Sequence, residues 1–414
     1  MASRFGSKNL LYIFLISFLA TAIDQGVAFS QLTNPDLPER DGVKLFERAK
    51  LHAALSTEEQ LETNIFLANT DRKFDGITVL NPSVGIDVPF WDNSLSIDYN
   101  TGVYMYNTYH SQNHVDHRVR GLAEINLSDY KITLNDVFRK FTDRAADESS
   151  NRVTRSINKG RVGVEAQFER LGFDAGYTNK LEIYDTNDPV FGPLTYEDRN
   201  HDDNIFDFSI IYRFLPKTSF IIENDLGFIH YYNSSQVPGS WFDETLFGIK
   251  GEWFARMTLN FKAGFRYQSY DSSDIISDKD YIGPVFRGGF DYNISERDIL
   301  AFEAEKSVYE SIYANMNYYD LNQVGFKYTH KFNDKVSANV LGSYQINLYP
   351  SETIENGITA KRYDNYFEGG AGIRYDIRKW VSVEAKYEYK QRLSRFDVFD
   401  YVDNVVTLRG TVGF

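Results

Sequence analysis

From about residue 50 to the C-terminus, apolar and polar side chains alternate with a period of two, in segments broken by short polar stretches. The last segment shows the pattern clearly. Val406, Leu408, Gly410, Val412 and Phe414 share one face, and Thr407, Arg409, Thr411 and Gly413 share the other. That period describes a β-strand with one apolar and one wet face. The segment 257–267 repeats it, with Leu259, Phe261, Ala263, Phe265 and Tyr267 opposite Asn260, Lys262, Gly264 and Arg266. So does 381–390, where Val381, Val383, Ala385, Tyr387 and Tyr389 oppose Ser382, Glu384, Lys386, Glu388 and Lys390.

About eighteen such strands are predicted between 51 and 414, among them 51–64, 118–127, 159–170, 205–214, 363–377 and 403–414. Connections from even to odd strands are short, as at Ser128-Asp129-Tyr130, Leu215-Pro216-Lys217 and Arg378-Lys379. Connections from odd to even strands are read as longer polar loops at 106–117, 142–158, 185–204, 270–280 and 349–362. Short turns on one rim and long loops on the other belong to a transmembrane antiparallel up-and-down β-barrel, all-β, with long extracellular loops and short periplasmic turns. A charged side chain on the lipid face costs roughly 2–4 kcal/mol near the midplane. The charged rows therefore face the lumen, through Arg161, Glu165, Arg213, Lys262, Arg266, Arg287, Glu303, Arg374, Glu384, Lys386 and Arg409. A ring of about eighteen strands is too wide for side chains to fill, so a hydrated channel follows.

Composition agrees with that architecture. The chain is polar on average (mean hydropathy −0.42) yet 16% aromatic, with 29 Tyr and 32 Phe. Aromatic girdles at both membrane interfaces account for most of these rings. Residues 1–30 carry Arg4 and Lys8, an apolar run from Leu10 to Ala20 and the triplet Ala28-Phe29-Ser30. They read as a secretory signal peptide cleaved after Ser30. The stretch 31–50 is a short periplasmic N-terminal segment, and 51–414 the outer-membrane barrel of a Gram-negative bacterium. A net charge of −14 argues against nucleic acid as a partner. The absence of cysteine removes disulfides and thiolate chemistry. The expected partners are outer-membrane lipid and the barrel-assembly machinery, with Phe414 as an assembly signal.

Three constellations could carry chemistry. His110, His114 and His117 lie close enough in sequence to suggest a metal site, but the segment has no helical period, and a polar surface loop is the better reading. No G-x-S-x-G, H-E-x-x-H or glycine-rich phosphate loop is present, so neither catalytic residues nor a cofactor is expected and the chain does not read as an enzyme. The loop after the fifth strand carries Asp143, Arg144, Asp147, Glu148, Arg152 and Arg155. By analogy with general porins it is expected to fold inward as a constriction.

The first strands also carry a resemblance. Ser56-Thr57-Glu58-Glu59-Gln60, Asn64-Ile65-Phe66-Leu67, Asp71-Arg72-Lys73-Phe74-Asp75, Asn81-Pro82-Ser83-Val84 and Leu95-Ser96-Ile97-Asp98-Tyr99 resemble the start of the putative β-barrel porin type 2 family. Phe74 and Gly76 depart from the pattern, which expects Ser and a bulkier apolar residue there. The resemblance implies an outer-membrane channel, often encoded beside exopolysaccharide synthesis and export genes, and it supplies no catalytic residues. The chain thus reads as a porin-like channel passing polar solutes passively, with polysaccharide among the candidates. A structural or adhesion barrel with a closed lumen and an outer-membrane hydrolase remain as alternatives.

Overall fold

The computed structural model describes residues 42–46, 48–144, 148, 151–191, 194–273, 280–313 and 316–414. The proposed signal peptide, and the lead-in up to residue 41, lie outside the described residues. Eighteen antiparallel strands form one closed ring. The first six are β1 (Lys50–Glu62), β2 (Asp75–Phe90), β3 (Asn93–Tyr106), β4 (His114–Leu127), β5 (Tyr130–Arg144) and β6 (Arg152–Phe168). The next six are β7 (Leu171–Tyr184), β8 (His201–Leu215), β9 (Thr218–Tyr231), β10 (Ser240–Phe254), β11 (Met257–Tyr270) and β12 (Tyr281–Asn293). The last six are β13 (Asp298–Glu310), β14 (Tyr318–Lys331), β15 (Val336–Glu355), β16 (Ile358–Arg378), β17 (Val381–Ser394) and β18 (Tyr401–Gly413). Each pairs with its neighbours in sequence, and β18 closes on β1 from Ala54↔Gly413 to Glu62↔Val405.

The core is inverted relative to a soluble domain. Outward side chains are apolar and exposed, as at Phe247 (58%), Phe265 (68%) and Leu408 (59%), while Glu244 (1%) and Arg266 (3%) are buried inside. Trp241 and Trp253 lie 12 residues apart on the outer face of β10. At ~3.3 Å per residue and a tilt of ~40° they are roughly 30 Å apart along the membrane normal, close to the ~25 Å apolar band plus its interfaces.

The structure corrects three boundaries. The stretch 349–362 is no loop: β15 and β16 run to a hairpin whose turn is Asn356 (φ 51°) and Gly357 (φ 78°). Both central residues hold the positive φ of a tight hairpin turn, which Asn-Gly tolerates best. Within 142–158, β5 extends to Arg144 and β6 begins at Arg152, leaving only 145–151 as a connection. His114 opens β4 rather than belonging to a loop. The cause is common to all three. These strands continue past the apolar band, where the outer face no longer needs apolar residues and the alternation fades.

Parity of the connections places Asn356 on the long-loop rim and Asp334 on the opposite one. A tag inserted at Asn356 should bind antibody on intact cells, and one at Asp334 only after permeabilisation; labelling of both on intact cells would break this topology.

Phe414 donates its N–H to the Ala53 carbonyl (2.9 Å) and accepts from the Ala53 N–H (3.1 Å), with its ring outward. Phe414→Ala leaves both hydrogen bonds available and removes only the ring. It should lower the outer-membrane yield of heat-modifiable folded protein without changing the melting of what does fold. An unchanged yield would make the ring incidental to assembly.

Candidate conduit through the barrel

Of the residues expected to line the lumen, Arg161, Lys262, Arg266, Arg287, Glu384 and Arg409 are tied across strands. Arg161 on β6 reaches Asp174 on β7 (2.8 Å) and Asp207 on β8 (2.5 Å). Lys262 on β11 reaches across β10 to Glu223 on β9 (2.7 Å). Glu244 on β10 takes Arg266 (3.5 Å) and Arg287. Arg409 on β18 bonds Glu58 on β1 (2.8 Å) and Glu384 on β17 (3.3 Å), so one guanidinium staples the closing seam. Alternation puts these groups on the same face of neighbouring strands, within reach of one another. An unpaired charge at such buried positions would carry a large desolvation cost.

The mouth is built differently from the expected inward loop. β12 and β13 pair only as far as Phe286↔Lys306, whereas β13 and β14 continue to Glu310↔Tyr318. Above Lys306 the β13–β14 hairpin therefore leaves the wall. Val308 and Tyr318 pack against Tyr281 and Tyr270, and Met316, Tyr319 and Leu321 against Tyr349. The connection that follows meets loops from the far side. Ser311 Oγ donates to Glu148 (2.6 Å), the Ile312 N–H donates to the same carboxylate (2.7 Å), and Arg199 donates to the Ser311 carbonyl (2.8 Å).

The β5–β6 and β13–β14 connections are separated by eight strands one way round the ring and ten the other. An eighteen-strand ring with strands ~4.8 Å apart and tilted by ~40° is roughly 36 Å across. Hydrogen bonds between those two connections therefore require chain that spans the mouth. On the other flank, the Arg362 guanidinium lies 4.2 Å from the ring centre of Tyr313, 4.0 Å from Phe399 and 4.9 Å from Tyr349, and pairs with Asp364 (2.5 Å). Burial pushes the Tyr313 hydroxyl up to about 12.

Of the expected constriction residues, Glu148 reaches into the mouth and the rest divide. Arg144 and Arg152 donate to the Ile65 carbonyl (3.0 and 2.7 Å), tying the β1–β2 connection down. Asp143 and Arg155 pair with each other (3.0 Å), and Arg155 also with Glu182 (2.6 Å), as part of the wall. Asp147 lies outside the described residues. The principal inward element is the β13–β14 hairpin rather than the connection after the fifth strand. No signal marked Ser311 or Arg199, and Arg362 fell in a stretch read as loop.

The histidines do not converge. His114 faces inward, stacked on Tyr104 (4.4 Å between ring centres), and His117 faces outward against the Tyr99 hydroxyl (2.8 Å). His110 Nδ1 is bonded to the Tyr106 carbonyl (2.8 Å). The expected girdle role for tyrosine is also only half the picture. Ten described tyrosines are buried, nearly all on the lumen side of the outer half, and ten are strongly exposed.

The family model described as putative beta-barrel porin 2 matches residues 51–414. The chain belongs to this porin family. It is an outer-membrane β-barrel porin. Among solved structures it is similar in fold to OccAB4 of Acinetobacter baumannii, at 10% identity over 92% of this chain and 100% of that one (TM-score 0.49). OccAB3 of the same species matches at 8% identity over 88% and 99% (TM-score 0.48). OpdK of Pseudomonas aeruginosa matches at 10% over 88% and 99% (TM-score 0.46). No curated protein matches the chain in sequence.

Glu148 places an ionisable carboxyl in the mouth of this porin. Burial, outweighing Arg362 and the bonds from Ser311 and Ile312, raises its carboxyl above the ordinary 4.5. A carboxyl raised on docking favours the docked loops fully below its ordinary value, and that advantage is lost as pH rises through the raised value. Open probability in planar bilayers should therefore rise as the outer solution is taken from pH 4 to pH 8. Glu148→Gln, which keeps an acceptor for Ser311, should flatten that dependence. A wild-type trace insensitive to pH would remove Glu148 from control of the mouth.

Proposed function

We propose that this porin is a passive conduit for polar solutes, with saccharides as the favoured class, serving exopolysaccharide export. The observation that carries the reading is the lining. Charged groups paired across neighbouring strands, among them Arg161 with Asp207, Lys262 with Glu223 and Arg409 with Glu58, give the lumen a polar, hydrogen-bonding wall. A polar wall of this kind suits solutes rich in hydroxyl groups, such as sugars. The β13–β14 hairpin then acts as the constriction that keeps an otherwise wide pore from leaking.

One observation favours a second reading, a barrel held shut that serves as a structural or adhesive surface. Hydrogen bonds that Ser311 and Ile312 donate to Glu148, and that Arg199 donates to Ser311, span the mouth. Single-channel recording separates the two. Replacing 309–319 by a short Asn-Gly turn should raise unitary conductance severalfold while heat-modifiability stays intact. A closed structural barrel would be silent before the replacement and conduct only after it. Equal conductance of wild type and variant would exclude the hairpin as the constriction.

A further inference from the structure

Asp136 on β5 departs from the rule that charges face the lumen. It shares its face with Leu134 and Phe138, and all three are exposed, so it points towards lipid. It lies six residues above Tyr130 at the short-turn rim. At ~3.3 Å per residue and a tilt of ~40° that is roughly 15 Å, well within the ~25 Å apolar band. Among the described residues its one hydrogen bond comes from the Asn158 amide on β6 (3.0 Å), and no Lys, Arg or His pairs with it. An ionisable group at that depth is costly and calls for a partner. The surroundings are small. The register sets Gly121 of β4 and Gly160 of β6 directly opposite Asp136, one on either side. With Ala123 they leave a hollow of about 340 Å³ in the outer wall, rimmed by Leu95, Leu134 and Val162. A Cβ on Gly121 would meet nothing within 4 Å, so no neighbour in the barrel itself requires glycine there. Lipid tails would fill such a hollow but leave the carboxylate short of donors.

We propose that the outer face centred on β4–β6 is an intramembrane interface with a second copy of this chain, paired about a two-fold axis. Small residues let transmembrane surfaces approach closely, and polar side chains hydrogen-bond across them. A two-fold contact needs a self-complementary patch, and this one carries both halves of each contact. Asp136 keeps acceptor capacity and Asn158 a second N–H, so each Asn158 can donate to Asp136 of the other copy. Val162 and Phe138 project beside the hollow, supplying knobs as well as the hole. The area is also sufficient. Five strands, β3–β7, set ~4.8 Å apart and tilted by ~40°, make a face about 30 Å wide and ~25 Å tall. That is roughly 750 Å² on each copy, close to the ~800 Å² per partner of a stable complex.

The chain holds no cysteine, so single cysteines report proximity without background. Oxidation of intact outer membranes should give a disulfide-linked dimer with Ala123→Cys or Val162→Cys. Val324→Cys, exposed on β14 half-way round the ring, should give none. In mild detergent the wild type should have twice the mass of one copy by light scattering. Gly121→Phe, for which the single barrel has room, should raise the concentration at half-dissociation at least about tenfold, with heat-modifiability unchanged. Asp136→Asn, which keeps hydrogen bonding, should stay dimeric, and Asp136→Leu should dissociate. A monomeric wild type with no cross-link at 123 or 162 would overturn the proposal. So would a three-copy ladder, which needs a head-to-tail contact, or a one-to-one complex with a different protein. If Asp136→Leu left the mass unchanged and raised the melting temperature, Asp136 would be a lipid-facing residue only, and the interface would be lost with it.

Discussion

Hydrocarbon offers no hydrogen bonds, so every backbone N–H and C=O at membrane depth must find a partner within the protein, each failure costing several kcal/mol. The sheet must therefore close, and the rest of the architecture follows from that closure. The Phe414 and Ala53 amides bond each other at the seam, and Arg409 bridges Glu58 and Glu384 just inside it. Closure of an antiparallel ring from first strand to last demands an even count and puts β1 and β18 on the same rim. The ladder relaxes between β12 and β13, above Phe286 and Lys306. Lys306 pairs with Asp320 on β14 (2.5 Å) at the point where the two strands part. A charged pair there fits the upper edge of the apolar band, where water can again satisfy a freed strand edge. Only at that height can a hairpin leave the wall without leaving amides stranded in lipid.

The same closure fixes what the lumen must contain. Half of each strand points inward whatever its sequence, and a ring this wide cannot be packed with apolar side chains. Charges fill it, and they are tolerated because the register brings opposite signs together on adjacent strands. Arg161 with Asp174 and Asp207, and Glu244 with Arg266 and Arg287, are triads drawn from three consecutive strands. Such groups stiffen the wall as much as they wet it. Removing one member would leave its partners with uncompensated charge, which costs more than the pair contributes.

Much of this was legible in the sequence, and the failures have a physical pattern. Within the apolar band, lipid on one side and water on the other impose a strict alternation, so the eighteen strands could be read. Above the band both faces are polar and the signal disappears, which is why β5, β6, β15 and β16 seemed to end early. The Asn356-Gly357 turn was a missed local signal: that dipeptide between alternating segments marks a two-residue hairpin. The inward hairpin was not readable at all. Where the chain leaves the wall depends on where pairing with β12 stops, a long-range fact. Glu148 drew notice as one charge in a polar run. Its partners, 163 and 164 residues further on, come together only through the diameter of the ring.

The hairpin is held unequally on its two flanks, and this bears on how a barrel can be both plugged and conductive. Towards β15–β18 the contacts are apolar or cation–π: Met316, Tyr319 and Leu321 against Tyr349, and Tyr313 and Phe399 about Arg362. Burying side chains of this size contributes roughly 1.5–3 kcal/mol each, and a desolvated cation–π contact about 2. Towards β5–β8 the contacts are three hydrogen bonds, to Glu148 and from Arg199. Each contributes about 0.5–3 kcal/mol net, depending on charge, and water can replace all three. The flank that water can dissolve is also the one that carries the ionisable latch. Glu148 also faces Arg362, so its ionisation couples the hydrogen-bonded flank to the cation–π flank. A plug built from apolar contacts all round would have no such weak side, and one built only from hydrogen bonds would not stay in the lumen once wetted.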